Sequence, residues 1–513
     1  MVALTRPSQL PPVSLNDLAA LAGAPMRPLL GRVEVTGVTL RSSDVRPGDL
    51  FAALPGANTH GIRFAAAAVD AGAVAILTDA AGASATTDLA SLPVLVVADP
   101  RAVLGRVCAA VYGDPSRRLS VLGVTGTNGK TTTSYLLEAA LRAAGQLPGL
   151  IGTIETRMQI ADGLVAVPAQ RTTPEAPDLQ ATLALMVENG IRSVAMEVSS
   201  HALALDRVAG TTFEVAGFTN FSQDHLDFHG DLESYFAAKA LLFDGRAAHE
   251  VVVVDDDWGA RLVGPDTVTV SGTGSVPAHW HSSEVSTHAG QTTFVAHGPA
   301  GVSWPVRLGL PGRFNVANAL LALAMLDGAG VDVERAARGL ETARVPGRME
   351  VIDQGQPFTV VVDYAHTPAA VATVLHALRA QTDGALILAL GCGGDRDPGK
   401  RPLMGQVAAR GSDVLIITDD NPRSEDPAVI RAAMRTGAQD LDAAQRGEIL
   451  EIAGRASAIG AAVERAQAAD TVVIAGKGHE QGQEIAGAIA PFDDRQVVRA
   501  VLTGLGWTGG SQP

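Results

Sequence analysis

The chain has 513 residues, 47% of them hydrophobic and 18% charged, which is typical of several folded domains and not of a disordered chain. Its formal net charge of −15 argues against nucleic acid or an anionic membrane as a partner, because both bind basic surfaces. A polyanionic small molecule stays compatible with this charge, since its site needs only a local concentration of cationic side chains.

Cysteine content and apolar runs indicate the compartment. The only two cysteines, Cys108 and Cys392, lie far apart and do not predict a disulfide framework. We expect no secretion signal, because residues 1–12 lack an apolar core, and no apolar run is as long as a membrane span. The sequence therefore predicts a cytoplasmic protein, which we expect to act as a monomer.

Residues 1–112 are predicted to form a small α/β domain. Alternating apolar residues over 33–40 predict a half-buried strand, and a turn then leads into a second strand near Phe51. By residue type alone, Ser42 and Asn58 are ordinary turn residues. The other predicted elements are a helix at 64–71 and strands at 74–77 and 94–97.

The segment from 119 to 133 carries the strongest chemical signal. A short apolar strand ends at Gly126-Thr-Asn-Gly129, and Lys130-Thr-Thr132 begins a helical pattern. The backbone N–H groups of such a loop bind phosphates, and Lys130 neutralises the β- and γ-phosphate oxygens. Thr131 is placed to bind Mg²⁺ through its hydroxyl. The alternative is a tight strand–helix turn with a surface lysine.

Strands alternate with helices from 113 to 345 and again from 346 to 513. The first region is predicted to be a P-loop ATPase domain with a mainly parallel, doubly wound sheet, and the second a Rossmann-like α/β domain. The fold class is therefore α/β with three domains, the smallest at the N-terminus. Gly391-x-Gly393-Gly394 follows a strand, but its spacing does not fit a dinucleotide fingerprint, so NAD binding is rejected.

Polar residues after strands of the central domain predict a metal site. Glu197 ends a strand, and a carboxylate near a phosphate loop can hold Mg²⁺ directly or through water. The segment 219–229 has too many polar residues for a plain connector, and His225 lies there beside two aspartates. By residue type alone, Lys239 is a solvated or salt-bridged lysine, and Arg207 is suited to pair with a substrate anion.

Charged residues also follow the strands of the last domain. Asp363 ends one strand and suits the hydroxyls of a ribose. Arg396 and Arg423 are fork-shaped donors for carboxylates, and Glu480 suits an ammonium group. This set predicts a small zwitterionic ligand. The alternative is a set of solvated loop charges.

Several motifs resemble those of the Mur ligases, which are ATP-dependent amide-forming enzymes. Thr125-Gly-Thr-Asn-Gly-Lys-Thr-Thr132 is similar to the ATP loop of this family and of its folylpolyglutamate synthase relatives. Asn220-x-Ser-x-Asp-His-Leu-Asp-x-His229 is highly specific for the family. Ser42-x-x-Val-x-Pro-Gly-Asp-Leu-Phe51 is similar to the first domain of members that act on UDP-N-acetylmuramoyl dipeptides. The resemblance covers essentially the whole chain.

The segment Val345-Pro-Gly-Arg-Met-Glu350 is predicted to be the hinge into the last domain. The resemblance implies an ATP and magnesium site between the central and last domains. It implies that Lys239 carries a carbamate derived from CO₂, which turns a cation into a carboxylate-like oxygen donor for Mg²⁺. The implied catalytic residues are Lys130, Glu197, His225, Lys239 and Arg348. The implied ATP-binding residues are Gly126, Thr127, Asn128, Gly129, Lys130, Thr131, Thr132, Asn315, Arg348 and Asp363, and the implied metal-binding residues are Thr131, Glu197, His225 and Lys239.

Two substrate sites are implied as well. Thr172 and Thr173 precede Pro174, which is predicted to start a helix. Their hydroxyls are implied to bind the peptide stem of the substrate, whereas the alternative is a helix N-cap. Two positions, Leu205 and Arg171, depart from the family pattern and are left without a role. The implied contacts to the UDP-muramoyl dipeptide are Leu40, Ser42, Ala57, Asn58, Thr59, Thr172, Thr173, Ser199 and Arg207.

Asp420-Asn-Pro-Arg423 resembles the amino-acid selection motif of the family members that add meso-diaminopimelate. This amino acid differs from lysine by one carboxylate, for which Arg423 offers a charged bidentate partner. The implied contacts to the amino acid are Arg396, Asp420, Asn421, Pro422, Arg423, Gly476 and Glu480.

The expected function is ATP-dependent ligation of meso-2,6-diaminopimelate to UDP-N-acetylmuramoyl-L-alanyl-D-glutamate through an acyl phosphate, a step of peptidoglycan precursor synthesis. One alternative is another ligase of the superfamily, either lysine-adding or folylpolyglutamate-forming, against which the first domain and Arg423 argue. The other is a nucleotide-switch binding protein, which leaves Arg396, Arg423 and Glu480 unexplained.

Overall fold

Three sheets organise the part of the chain that the structure, a computed structural model, describes: residues 6–24, 32–56, 58–85, 92–160, 163–288 and 290–509. They contain four, eleven and six strands, and follow one another along the chain. The α/β class with mainly parallel sheets is confirmed. The domain boundaries after residues 112 and 345 stay predictions. Among the described helices, none is long and apolar enough to cross a membrane.

The first sheet is parallel, with strand order β3-β4-β5-β6. The single strand predicted at 33–40 is wrong in one respect, because it is divided into β2, which pairs with β1, and β3, which pairs with β4. The strands are β1 (Val13–Ser14), β2 (Glu34–Val35), β3 (Gly37–Thr39), β4 (Asp49–Ala52), β5 (Ala75–Thr78) and β6 (Val94–Val96), and the helices are α1 (Leu15–Ala22), α2 (Ala65–Asp70), α3 (Ala80–Ser84) and α4 (Pro100–Val111).

The central sheet is parallel from β8 through β15 and antiparallel at both ends, in the order β10-β9-β8-β11-β7-β12-β13-β14-β15-β16-β17. Its strands are β7 (Ser120–Thr125), β8 (Pro148–Ile151), β9 (Glu155–Ile160), β10 (Gly163–Pro168), β11 (Ser193–Glu197), β12 (Phe213–Phe218), β13 (Ala247–Val253), β14 (Val268–Ser271), β15 (Trp280–His288), β16 (Gln291–His297) and β17 (Ser303–Leu308). Its helices are α5 (Lys130–Ala143), α6 (Ala176–Glu188), α7 (Ser200–Ala204), α8 (Leu226–His229), α9 (Leu232–Ala240), α10 (Asp257–Ala260), α11 (Arg313–Gly328) and α12 (Val333–Gly339).

The last sheet has the order β18-β19-β23-β20-β21-β22 and is parallel except at β18. The carboxyl ends of its parallel strands therefore share one edge. The strands are β18 (Glu350–Val351), β19 (Thr359–Asp363), β20 (Leu386–Cys392), β21 (Val414–Asp419), β22 (Glu448–Glu451) and β23 (Thr471–Ala475), followed by a hairpin of β24 (Gly482–Ile485) and β25 (Ala488–Pro491). The helices are α13 (Pro368–Arg379), α14 (Lys400–Gly411), α15 (Pro427–Gln439), α16 (Arg455–Arg465) and α17 (Asp494–Gly504).

A buried ion pair fastens α16 to α17 in this last unit. Arg455 and Asp494 are both almost fully buried and form two hydrogen bonds of 2.7 Å. A second guanidinium nitrogen also donates to the Ala475 carbonyl at 2.9 Å. The pair thus ties both helices to the end of β23.

Asp494→Asn is expected to destabilise the protein by about 3–5 kcal/mol, because it leaves a buried guanidinium without its counter-charge. Thermal or chemical unfolding of the variant measures the effect. Asp383→Asn, at an exposed position in the same unit, is the control and is expected to change stability by less than about 0.5 kcal/mol. A loss below about 1 kcal/mol for Asp494→Asn would contradict this account of the pair.

Candidate active site

The phosphate loop lies between β7 and α5, at the carboxyl edge of the central sheet. Gly126 and Gly129 have φ values of 144° and 89°, which favour glycine. A Cβ at Gly126 would lie 1.9 Å from the Thr219 hydroxyl, and one at Gly129 would lie 2.4 Å from the Asn318 side-chain oxygen. The loop is therefore closely packed as well as conformationally restricted, and other side chains are excluded.

The Lys130 side chain folds back over this loop. Its ammonium donates to the carbonyls of Gly126 and Thr127 at 2.8 and 2.9 Å. Burial lowers the pKa of Lys130, and the carboxylates of Glu197 and Asp224 oppose this shift. The half-buried Lys130 side chain is thus part of the phosphate loop, and Lys130 is not a surface lysine.

The motif at 219–229 holds the phosphate loop from the other side. The Asn220 side chain accepts from the Asn128 N–H at 3.0 Å and donates to its carbonyl at 3.1 Å. Thr219 donates to the same carbonyl at 2.6 Å, and Ser222 N–H donates to the Thr127 hydroxyl at 3.0 Å. The motif that the sequence singled out therefore positions the loop as well as carrying His225.

Glu197 ends β11 as predicted and is fully buried. One of its oxygens accepts from the hydroxyls of Thr131 and Thr153 at 2.9 and 3.0 Å, and the other accepts from the Thr153 N–H at 2.7 Å. Thr153 was not identified from the sequence, since no local pattern marks it. A carboxylate and a hydroxyl in contact beside the phosphate loop form a donor set that fits a hard cation such as Mg²⁺.

His225 has a left-handed backbone, with φ of 53°, and its side chain is about half exposed. Its ring centroid lies 4.9 Å from that of His201 and 6.0 Å from that of Tyr235. Burial is the largest cause of a lowered pKa for His225, which favours the neutral ring that a metal requires. The described residues include no group of three or more His, Cys, Asp or Glu side chains placed to hold a metal.

Lys239 lies in α9 and is almost fully buried. Its ammonium donates to the Gly126 carbonyl at 2.7 Å and lies 4.4 Å from the centroid of the Tyr235 ring. Burial and the nearby Lys130 hold its pKa well below the ordinary value. The interpretation from residue type, a solvated or salt-bridged lysine, is wrong, because α9 packs this face against the phosphate loop.

Three residues near the hinge, Asn315, Arg348 and Asp363, are predicted to contact the nucleotide. Asn318 lies against Gly129 and donates to Asn315 at 3.1 Å, so Asn315 supports Asn318 from behind. Arg348 stacks on Tyr364, with 4.1 Å from Cζ to the ring centroid, and its buried Nε has no hydrogen-bond partner among the described residues. Asp363 accepts from the N–H groups of Met349 and Ala365, both at 2.7 Å.

The hinge itself is packed against the last unit. Gly347 has φ of 62°, and a Cβ there would lie 2.1 Å from the His479 nitrogen. The nucleotide roles of Asn315, Arg348 and Asp363 stay predictions.

A cavity of about 240 Å³ lies between the first sheet and the central unit. Leu40 and Gly56 line it, together with Arg101, Arg171 and Glu175. Ser42 begins a short 3₁₀ turn next to this wall, and Asn58 and Thr59 are exposed in the loop that follows Gly56. Ala57 lies outside the described residues. Of the described residues predicted to contact the UDP-sugar, Leu40 is the one that lines the cavity, and the assignment of this site stays a prediction.

Thr172 and Thr173 are not helix caps. The helix begins at Ala176, after Glu175, and Pro177 is the proline of its first turn, so the start predicted at Pro174 is wrong. Thr173 instead donates to the Glu197 carbonyl at 2.9 Å and accepts from the Ser199 N–H at 3.0 Å. Thr172 accepts from the Thr153 hydroxyl at 3.1 Å. These bonds bring the predicted peptide-stem residues to the end of β11.

A buried network connects the strand ends of the last unit. Lys477 is fully buried and donates to Asn421 at 2.9 Å and to Glu480 at 2.8 Å. Asn421 also donates to Glu480 at 2.9 Å. The sequence assigns no role to Lys477, since its partner Asn421 follows a different strand. Glu480 is therefore paired with protein groups and is not a merely solvated loop charge, whereas the role of the whole set stays a prediction.

Arg423 lies at the rim of this network. It donates to the Gly394 carbonyl at 2.6 Å and lies 3.5 Å from the Glu484 carboxylate. Its backbone N–H donates to the Glu484 carbonyl at 3.0 Å, which fastens the β24–β25 hairpin to the segment. Asp420, Pro422 and Gly476 lie alongside, and Arg396 is exposed on the loop after β20.

The chain has four lysines, and each of them contacts a segment described above or lies next to one. Lys130 and Lys239 contact the phosphate loop, and Lys477 belongs to the buried network. Lys400 begins α14 and donates to the His366 carbonyl at 3.3 Å. Everywhere else the chain uses arginine as its cation.

A phosphate loop in the central unit and a buried, charged network at the strand ends of the last unit fit an ATP-dependent amide-forming ligase. Family models match three successive regions: "Mur ligase family, catalytic domain" at 34–112, "Mur ligase middle domain" at 124–326 and "Mur ligase, glutamate ligase domain" at 347–478. The chain belongs to the Mur ligase family.

Curated relatives match nearly the whole chain. A Streptomyces coelicolor protein named UDP-N-acetylmuramoyl-L-alanyl-D-glutamate–2,6-diaminopimelate ligase is 50% identical, with 97% of this chain and 98% of the relative covered. A Corynebacterium glutamicum protein of the same name is 52% identical, with 92% and 93% covered.

Solved structures are similar as well. A structure with that ligase name is 34% identical, with a TM-score of 0.68 and coverage of 96% of this chain and 99% of the other. A Thermotoga maritima MurF ligase in complex with ADP is 18% identical, with a TM-score of 0.61 and coverage of 92% and 97%, and shares the fold.

Proposed function

We propose that the protein joins meso-2,6-diaminopimelate to the D-glutamyl residue of UDP-N-acetylmuramoyl-L-alanyl-D-glutamate at the expense of ATP, in the cytoplasm. The observation that carries the proposal is the position of Arg423, a partly exposed guanidinium at the rim of a buried Lys477–Asn421–Glu480 network. Relatives named for this reaction match 97% and 92% of the chain.

The reaction requires a carboxylate to attack the γ-phosphate of ATP, which gives an acyl phosphate and ADP. Lys130 would neutralise the charge that develops on the phosphate, and Arg348, whose Nε lacks a partner, would reach the same oxygens. The amine of diaminopimelate then attacks the acyl carbon, loses a proton and releases phosphate. The peptide-stem residues Thr172, Thr173, Ser199 and Arg207 would orient the glutamyl carboxylate.

Mg²⁺ would supply charge neutralisation between the phosphates, held by Thr131, Glu197 and His225. The low pKa of Lys239 supports carbamylation, because only a neutral amine attacks CO₂. The new N–C bond forms as the nitrogen loses a proton, and the product is an anionic carbamate. The modification would replace a buried cation next to the phosphate loop by an oxygen ligand.

Phosphate release from ATP tests the proposal, measured with UDP-N-acetylmuramoyl-L-alanyl-D-glutamate and either meso-diaminopimelate or L-lysine. We expect release with diaminopimelate only. Equal release with lysine would contradict the amino-acid specificity and leave the ligase class intact. Release that is independent of both amines would contradict the ligase and favour a nucleotide-switch protein.

A further inference from the structure

Three arginines converge on Glu175, a carboxylate that lines the cavity between the first sheet and the central unit. Glu175 lies 2.9 Å from Arg207, 3.3 Å from Arg101 and 3.9 Å from Arg171. Although Glu175 precedes the first turn of α6, its side chain does not cap that helix. One acceptor group therefore faces three guanidinium groups, which offer far more donors than it can accept.

The three arginines come from different parts of the chain. Arg101 belongs to α4 of the first unit and also donates to the Leu205 carbonyl at 3.3 Å. Arg171 precedes Thr172 and is about half exposed, with no hydrogen bond among the described residues. Arg207 is nearly buried and donates to the Thr173 carbonyl at 3.4 Å. The cluster thus connects the cavity beside the first sheet with the residues predicted to bind the peptide stem.

The other charges of the cavity do not neutralise this cluster. Arg41 and Asp44 lie 3.5 Å apart and compensate each other. Asp178 is the one further acid that lines the described cavity wall, and burial raises the pKa of its carboxyl. With Asp178 ionised, the lining residues themselves include as many arginines as carboxylates, and Arg207, which contacts Glu175 but does not line the cavity, adds one further guanidinium in a protein whose net charge is −15. The excess positive charge is therefore local.

We propose that Arg101 and Arg171 are substrate-binding residues that complete, with Arg207, a cluster for the anionic groups of the UDP-muramoyl dipeptide. The inference rests on the proposed function and adds two residues to it. Glu175 orients the three guanidinium groups before the substrate binds. Arg171 and Arg101 then donate to the substrate anion, since most of their N–H groups are not engaged with protein acceptors.

Two parts of the substrate carry the required charge, the diphosphate and the carboxylates of the peptide stem. UDP-N-acetylglucosamine has the diphosphate and no carboxylate, so its binding shows which of the two anionic groups the arginines contact. An equal loss of affinity for both ligands identifies the diphosphate as the partner. A loss confined to UDP-N-acetylmuramoyl-L-alanyl-D-glutamate identifies a carboxylate.

The test is calorimetric titration of wild-type protein, Arg101→Ala and Arg171→Ala with both ligands at low and high salt. Each variant is expected to bind the dipeptide substrate about tenfold more weakly, as for the loss of one charged hydrogen bond. The affinity of the double variant is expected to depend less on salt than that of wild type. In turnover, the KM for the dipeptide substrate should rise while kcat and the KM for ATP stay unchanged.

Arg106→Ala is the matched control, because Arg106 is exposed on the same helix as Arg101. It is expected to bind like wild type. If Arg101→Ala and Arg171→Ala also bind within twofold of wild type, the inference is wrong and the proposed function stands. If wild type binds neither ligand, the proposed function and the inference fall together. Thermal unfolding separates a loss of binding from a loss of folding.

Discussion

Replacing Lys239 by methionine is expected to reduce kcat for amide formation by about 10²–10³-fold, the typical effect of removing one group that stabilises transition-state charge. Lys239 is buried, donates to the Gly126 carbonyl of the phosphate loop and has a strongly lowered pKa. Methionine keeps the volume and the apolar contacts, so the loss reports on the nitrogen and on the carbamate proposed for it. Coupled phosphate release measures the rate.

Two further measurements make this prediction specific. Lys239→Glu, which restores a carboxylate on a shorter side chain, is expected to recover part of the activity. The intact wild-type protein, kept with bicarbonate, should show the added mass of one carbon dioxide, and Lys239→Met should not. A methionine variant that retains more than half of the wild-type rate, with unchanged thermal stability, would refute the role of Lys239.

Arg423→Ala is expected to lower kcat/KM for meso-diaminopimelate by about 10²–10³-fold, because the distal carboxylate loses a charged, bidentate partner. Arg423→Lys should lose nearly as much. A lysine ammonium cannot hold the Gly394 carbonyl and a substrate carboxylate in the same fork geometry. Initial rates at varied diaminopimelate, with ATP and nucleotide substrate saturating, measure the effect.

The control for this prediction is Arg410→Ala, an exposed position in α14, which should leave the kinetics unchanged. The KM values for ATP and for the UDP-muramoyl dipeptide should also stay constant in Arg423→Ala. Unaltered kcat/KM for diaminopimelate in that variant would refute the assignment of Arg423 to the amino acid.

Local patterns predicted the elements whose chemistry is contiguous in sequence. The strand, glycine loop and helix around Lys130 form one segment, so the spacing alone indicated a phosphate site, and the strand ending at Glu197 could be identified in the same way. The α/β alternation likewise predicted the mainly parallel sheets. In these cases the physical cause, a periodic apolar pattern interrupted by polar residues, lies within about ten residues.

Features that depend on packing between distant segments could not be predicted. Lys239 was expected to be solvated because its helix gives no sign that its face packs against Gly126. Lys477 meets Asn421 across more than fifty residues of sequence. The helix predicted to start at Pro174 begins at Ala176, and Thr173 hydrogen-bonds the end of β11, a segment distant in sequence.

The restriction of lysine to four positions has a practical consequence for the chemistry of the surface. Reagents that acylate or alkylate side-chain amines find no harmless target on this protein, since every lysine contacts the phosphate loop, the amino-acid network or the His366 backbone. Lys130 and Lys400 are the partly exposed ones and would react first. Covalent reagents aimed at lysine side chains would therefore modify Lys130 in the phosphate loop or Lys400 at the start of α14.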